Sequence, residues 1–463
     1  MAKIDFAHKA QRKMFEAILD SVIKHSNSDR TKAIKQLVDL VKKTMYDIWG
    51  SATYEMFGFS SKPDSKWMKY IDNLLNDVHP NIIKAKALNT AYEAGYRGFR
   101  IAQDMKKKHD INIPWIILVD PTSACNLKCT GCWSAEYGHL IQLSYEELDR
   151  IITEGEELGI YAWLMTGGEP LIRKADILKL AEAHPYSSFH IFTNGTLIDD
   201  AFCEEVVRLG NIAPSISLEG FEEVNDLRRG KGVFQKLMHA MDTMKKHKLL
   251  FGTSICYTSS NYKTVTSDEF LDMIISKGVK YTWYFHYMPV GNDASTDLLL
   301  TPEQREYMYH RVREIRGFTG GKQIFAFDFQ NDGEYVGGCI AGGRNYFHIN
   351  ANGDAEPCVF IHYSSANIKE VSVLDALRQP LFMAYHNNQP FNKNHLRPCP
   401  MLENPEKLQQ MVHETGAKST DLQSPESVEH LCGKCEQYAS IWKKKADELW
   451  EKSGKAEKEE KKA

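Results

Sequence analysis

With 463 residues the chain is too long for one ordinary domain, and two or three units that each bury a core are expected. Its hydrophobic fraction of 43%, charged fraction of 25% and formal net charge of −4 belong to a soluble globular protein and give no general electrostatic case for binding nucleic acid. Ten cysteines, and no apolar export signal between Met1 and Gln11, point to a cytoplasmic chain whose thiols serve metal or redox chemistry rather than disulfides.

From residue 1 to about 112 the pattern is helical. Phe15, Ile18, Leu19, Val22 and Ile23 recur at helical spacing, and so do Ile34, Leu37, Val38 and Val41. The last helix begins near Pro80 and ends in the basic stretch Arg97 to Lys108. That stretch reads first as a solvated helix face and second as a peripheral contact with an anionic membrane surface. Between residues 113 and 300, strand-like runs alternate with helical ones: Trp115–Asp120, Ala162–Thr166, Ser188–Thr193, Ala213–Leu218, Gly252–Thr258 and Lys280–Pro289. The alternation argues for an α/β fold of repeated βα units with a mainly parallel sheet, whose active site gathers at the carboxyl ends of the strands. Trp115–Val119, the most apolar run, is far shorter than the roughly 20 residues that span a bilayer. Ser144 and Glu147 form a capping box at the start of a helix, and Thr301, Pro302 and Gln304 signal another. Residues 301–450 turn to glycine-rich loops, short strands and scattered cysteines, an irregular second domain. Residues 451–463 form a charged tail that is expected to be disordered.

The loop after the first strand carries Cys125-Asn126-Leu127-Lys128-Cys129-Thr130-Gly131-Cys132. CxxxCxxC can hold three corners of a cubane iron–sulfur cluster and leaves the fourth iron without a protein ligand. Such a site suits a reaction centre better than an electron store. Zinc is the alternative, with His139 as a fourth ligand, although structural zinc favours paired CxxC spacings. Downstream stands Gly167-Gly168-Glu169-Pro170 at the carboxyl end of a strand. There, paired glycines would let backbone approach a ligand and leave amide donors exposed.

The cysteine triplet and this Gly-Gly-Glu-Pro turn together resemble the radical S-adenosylmethionine (radical SAM) enzymes. The resemblance implies a partial (β/α)6 barrel, with a 4Fe-4S cluster on Cys125, Cys129 and Cys132 whose open iron chelates S-adenosylmethionine. Reductive cleavage then gives a 5′-deoxyadenosyl radical that abstracts hydrogen from a substrate. By the same resemblance, Gly167, Gly168, Glu169 and Pro170 receive the cofactor's ammonium group, Thr193 and Asn194 make polar contacts, and Ser217 and Glu219 reach the ribose. Arg229 pairs with the methionine carboxylate; its other reading is a surface salt bridge to Glu222, Glu223 or Asp226. The family's frequent aromatic residue before the third cysteine is Gly131 here, with Trp133 following. In Lys280–Pro289, Tyr281, Trp283, Phe285 and Tyr287 share one face and Thr282, Tyr284, His286 and Met288 the other. Tyr284 and His286 are candidates for touching substrate or moving a proton, with core packing as the commoner fate of such residues.

A second cysteine group, Cys339, Cys358, Cys399, Cys432 and Cys435, resembles the SPASM or Twitch extension of many radical SAM enzymes. Five cysteines suit one auxiliary 4Fe-4S cluster better than two, with Cys399, between Pro398 and Pro400, the hardest to place; a zinc ribbon is the alternative. Cys203 and Cys256 read as small buried hydrophobes. The reading is therefore a radical SAM enzyme, supplied by a small electron donor such as flavodoxin or ferredoxin, that acts on a peptide or protein or on a lipid-like small molecule. A non-catalytic iron–sulfur carrier or metal-binding interaction protein is the rival.

Overall fold

Short runs rich in Ile, Phe, Tyr and Trp become parallel strands: β1 (Ile116–Val119), β2 (Ala162–Met165), β3 (Ser188–Thr193), β4 (Ile212–Ser217), β5 (Gly252–Tyr257) and β6 (Tyr281–His286). The computed structural model describes residues 6–24, 65–317 and 321–454, with Lys32 and Asp39 standing alone. The helical pattern over Ile34, Leu37, Val38 and Val41 and the tail from residue 455 lie outside the described residues. Helices Tyr145–Glu157, Lys174–Ala183, Asp200–Leu209, Val233–Lys246 and Asp268–Ser276 connect the six strands and cover one face of the sheet. Local chemistry starts them where expected. Ser144 Oγ accepts from Glu147 N (3.1 Å) while Glu147 accepts from Ser144 N (2.7 Å), and Thr301 and Gln304 exchange the same pair of bonds ahead of helix Pro302–Ile315.

The sheet does not end at six strands. Beyond β6 lies β7 (Phe325–Asp328), and beyond β1 lie β8 (Tyr346–Ile349) and the antiparallel β9 (Ala355–Glu356), so the order is β7-β6-β5-β4-β3-β2-β1-β8-β9. Three of the nine strands thus come from beyond residue 300, where pairing between distant segments, not local pattern, decides membership.

Ring contacts show how far this sheet curls. β7 and β8 are seven steps apart in strand order, about 34 Å in a flat sheet at ~4.8 Å per strand. Yet Phe329, just past β7, meets Tyr346 of β8 with ring centroids 5.8 Å apart. Phe192 of β3 likewise meets Trp283 of β6 at 6.0 Å across two intervening strands. The result is an open barrel whose edges face each other without pairing. Along β6 the alternation is strict: Thr282, Tyr284 and His286 are buried, while Tyr281, Trp283 and Phe285 on the concave face are only half-buried.

The N-terminal helices close the amino end of this barrel, away from the cysteine loop. Lys86, in helix Pro80–Ala87, donates to Ser188 Oγ (2.7 Å), Phe189 O (3.0 Å) and Asn211 O (3.3 Å) at the entries to β3 and β4, and burial depresses its ammonium to about 7. No helix among the described residues is long and apolar enough to cross a membrane.

Trp163 on β2 is fully buried and its indole donates to Ser187 Oγ (3.2 Å), so Trp163→Ala should lower the unfolding free energy by about 3–5 kcal/mol. Trp115, 38% exposed, should tolerate the same change within about 0.5 kcal/mol. Urea titrations of the two variants test the contrast.

Candidate cofactor site

The chain leaves β1 at its carboxyl end and runs directly into the three cysteines. Their loop is tied down on both sides: Asp120 N donates to Ile349 O (2.9 Å), Ser123 N to Ile141 O (2.9 Å) and Thr130 N to Arg228 O (3.0 Å). Cys125, Cys129 and Cys132 are half-buried, and burial pushes Cys125 up to about 11 and Cys129 upward. Asn194 Nδ2 lies 4.0 Å from Cys125 Sγ, Arg229 Nη1 3.9 Å from Cys129 Sγ, and Ser134 Oγ 3.3 Å from Cys132 Sγ. Each sulfur thus has a polar neighbour, as cluster thiolates require.

The Gly-Gly-Glu-Pro turn fits against this loop and not around an open space. Gly168 N donates to Thr122 O (2.9 Å) and Glu169 N to Ala124 O (2.8 Å), so both amides are consumed. A Cβ on Gly168 would stand 2.2 Å from Ala124 O, and one on Gly167, whose φ is +108°, 2.5 Å from Thr122 O. The expectation of an exposed amide donor is corrected for Gly168, and both glycines are needed because two backbone segments touch. Glu169 is fully buried and accepts from Thr193 Oγ1 (2.6 Å), Asn194 N (2.7 Å) and Leu171 N (2.9 Å). It joins the turn, with Pro170 opening a short 3-10 helix, to the end of β3.

Glu219 follows β4 and is 1% exposed. Its carboxylate takes a hydrogen bond from Arg229 and an ion pair from Arg228 (3.0 Å). Arg229 therefore pairs with neither Glu222, Glu223 nor Asp226; Asp226 instead accepts from the amides of Gly232 and Phe234 (2.5 and 2.8 Å). Ser217 is half-buried and its hydroxyl has no partner among the described residues. Arg228, which sequence reasoning passed over, also donates to Thr130 O (3.1 Å), so its tandem with Arg229 binds the cysteine loop to β4. Cys256, on the concave face of β5, sits against Arg228, whose charge opposes the effect of burial on its thiol.

Tyr284 and His286 stand away from this site. Tyr284 donates to Val265 O (2.8 Å), and His286 contacts Tyr287 O (2.6 Å) and Tyr438 (3.2 Å), both rings being packed between layers. Trp283 and Phe285 face the barrel interior in their place. His139 is occupied by Ser123 O at 3.3 Å.

Beneath Trp133 lies a buried charge cluster that the sequence did not disclose. His348 on β8 sits between Asp120 (3.0 Å) and Glu356 (2.7 Å), and Tyr137 donates to Glu356 (2.7 Å). Burial alone would lower His348, but the two carboxylates push it up to about 10. Trp133 meets its ring edge-on at 5.6 Å, so the residue after Cys132 rests on strands supplied by the C-terminal half.

In that half, Cys339, Cys358 and Cys399 line one cavity of about 180 Å³, and burial pushes Cys339 up to about 12 and Cys358 to about 11. Cys399 is positioned by its own amide, which donates to Glu403 (2.6 Å), itself held by Arg305 (2.6 Å) with both side chains wholly buried. Cys432 and Cys435 lie one turn apart on helix Val428–Lys452, fully buried in the same apolar cluster. Among the described residues no three His, Cys, Asp or Glu side chains converge on a point that would hold a single metal ion, the arrangement mononuclear zinc needs.

Comparison with known proteins agrees with this geometry. Residues 119–274 match the family described as the Radical SAM superfamily. That segment is a radical SAM domain. Over 235 residues it is 26% identical to an Fe-coproporphyrin III synthase of Methanosarcina barkeri, covering 48% of this chain and 57% of that protein, so it spans little more than half of that relative. A PqqA peptide cyclase of Granulibacter bethesdensis is 27% identical over 264 residues, covering 54% of this chain and 68% of that one. Streptococcus suis SuiB bound to S-adenosylmethionine superposes with a TM-score of 0.55 at 20% identity, over 73% of this chain and 81% of that one, which shows that the two share a fold.

Two outcomes follow from the contacts around the loop. Gly168→Ala should displace the cysteine loop and lower the iron retained after anaerobic reconstitution, read by iron analysis, because its Cβ would lie 2.2 Å from Ala124 O. His348, raised from 6.5 to about 10, contributes stability that is complete below pH 6.5 and is lost as pH rises toward 10. Thermal melts of wild type and His348→Phe should therefore converge across that window.

Proposed function

We propose that this chain is a radical SAM enzyme in which Cys125, Cys129 and Cys132 hold a 4Fe-4S cluster beside a binding site for S-adenosylmethionine. The supporting observation is the meeting of the cysteine loop with the Gly167–Pro170 turn, Asn194 and Arg229 at the carboxyl ends of β1 to β4. When bound, this pair supplies the one-electron cleavage of the sulfonium that yields a 5′-deoxyadenosyl radical.

The protein's own residues do the positioning. Glu169 fixes the turn through three hydrogen bonds and leaves the backbone of Gly167 and Gly168 rigid. Ser217 offers a free hydroxyl for a ribose, and Thr193 and Asn194 hold the loop's edge. Arg229 stands between Cys129 and Glu219, where a guanidinium can exchange part of its pairing for a ligand carboxylate. The concave face offers the half-buried rings Phe192, Trp283 and Phe285 to whatever enters the barrel.

The same reading assigns residues 113–300 to the core and 301–450 to an auxiliary unit, with Cys339, Cys358 and Cys399 and one of Cys432 or Cys435 holding a further 4Fe-4S cluster. A small reduced protein such as flavodoxin or ferredoxin supplies electrons, and the setting is cytoplasmic. The substrate is an organic molecule whose C–H bond enters the barrel. Among the relatives, one is named for a peptide and another for a porphyrin.

Reduced, reconstituted protein should convert S-adenosylmethionine to 5′-deoxyadenosine, and changing Cys125, Cys129 and Cys132 together to Ala should abolish it; undiminished turnover would sink the proposal. Two four-iron clusters mean about eight irons per chain, falling to about four in Cys339→Ala/Cys358→Ala. Iron and sulfide analysis reads this directly.

A further inference from the structure

The concave face of the sheet carries a continuous aromatic strip. Trp283 stacks on Phe327 (4.3 Å, 12°), Phe192 meets Trp283 (6.0 Å) and Phe285 (5.9 Å), Phe285 meets Phe329 (5.4 Å), and Phe329 meets Phe360 (6.5 Å). The first five of these rings are half-buried, whereas aromatic residues on the opposite face, such as Tyr284 and Phe189, are wholly buried. Rings packed for stability alone would be covered on both sides. The strip instead keeps apolar surface open to the barrel interior.

It also leads from the reacting end. Phe192 is two residues before Asn194, which touches the cysteine loop, and the strip's other end, at Phe327, Phe329 and Phe360, reaches the cavity in which Cys339, Cys358 and Cys399 would hold the auxiliary cluster, so its open stretch runs between the two cysteine groups. The charged residues of the cavity wall are spoken for: Asp328 accepts from Tyr257 (3.0 Å) and Asn331 (2.8 Å), and Asp332 is paired with Arg316 (2.5 Å). Two donors of the wall remain: Trp283 Nε1 is buried without a hydrogen-bond partner, and Gln330 engages only its amide oxygen, which accepts from His286 N (2.9 Å).

We infer that the substrate segment drawn into this barrel is an uncharged hydrocarbon chain carrying at most one or two hydrogen-bond acceptors, a lipid-like molecule and not a peptide. The inference rests on the radical SAM reading for its chemistry but on the strip for its specificity. A peptide backbone brings one donor and one acceptor per residue, and the strip has too few polar groups to pair them with. A charged ligand would lose its hydration with no counter-ion in return. A hydrocarbon chain has no such groups to satisfy, and a lone hydroxyl or carbonyl would match Trp283 Nε1 or Gln330 Nε2.

Binding to full-length, cluster-reconstituted protein, without S-adenosylmethionine or reductant, tests this. The neutral fluorophore N-phenyl-1-naphthylamine should bind saturably, with one molecule per chain, and 1-dodecanol should displace it while an N-acetylated, amidated Leu-Ser-Leu peptide should not. Phe327→Asp, which places a carboxylate in the wall, should weaken the fluorophore at least about tenfold, and Phe327→Leu should change it less than about threefold. Trp283→Phe/Gln330→Leu keeps an aromatic ring at 283 and removes both donors, so it should weaken 1-dodecanol about threefold or more and leave the fluorophore unchanged. Absence of saturable binding, displacement by the peptide in preference to 1-dodecanol, or equal affinity in wild type and Phe327→Asp would overturn the inference. Formation of 5′-deoxyadenosine by the same preparation separates the two readings: binding lost with turnover intact strikes only the substrate class, and turnover lost with binding intact strikes only the radical chemistry.

Discussion

The contact between two pieces of backbone, the cysteine loop at Ser123–Ala124 and the turn at Gly167–Gly168, holds the centre of this protein together. No side chain fits between them, since any Cβ on Gly168 would fall 2.2 Å from Ala124 O and 2.4 Å from Ser123 O. Closeness makes the hydrogen bonds from Gly168 N and Glu169 N possible, and the Glu169 carboxylate then carries the constraint to Thr193 and Asn194. Three strand ends are thereby locked to one loop. The cysteines hang from a scaffold that has little freedom to rearrange, which suits a site that has to present three thiolates in fixed relation.

Around that contact the C-terminal half acts as part of the barrel and not as an appendage. Its strands β7 and β8 extend the sheet at both edges, and curling brings those edges within ring contact. The His348 cluster lies where β8 meets β1, so the residue that follows the last loop cysteine leans on charge supplied from more than two hundred residues away in sequence. The same sheet carries the first cysteine group at the end of β1 and lends Phe327 and Asp328 of β7 to the cavity lined by Cys339, Cys358 and Cys399.

Local features were legible in the sequence because local chemistry determines them. The capping boxes at Ser144 and Thr301 need only residues three apart, and the six strand runs declared themselves by composition, β3 to the residue. The cysteine triplet fixed the position of the candidate site by spacing alone. What the sequence did not reveal depends on long-range pairing: the membership of β7, β8 and β9 in the sheet, the burial of His348 between two carboxylates, and which cysteines of the second group share a cavity. Direction was also hidden. Nothing in Gly-Gly-Glu-Pro tells whether the carboxylate points at a ligand or back into the fold, and nothing in the Lys280–Pro289 run tells which face is concave. The tandem Arg228-Arg229 before Gly230 was a visible signal, but its buried partner, Glu219, emerged only from the fold.

The central claim is that three cysteines leave one iron of a four-iron cluster free to take S-adenosylmethionine. Mössbauer spectroscopy of ⁵⁷Fe-reconstituted Cys339→Ala/Cys358→Ala protein, which retains the N-terminal group, tests it without depending on substrate. Addition of S-adenosylmethionine should change the signal of one iron in four and leave the other three in place. A spectrum indifferent to S-adenosylmethionine, or a centre occupied by zinc, would contradict the account.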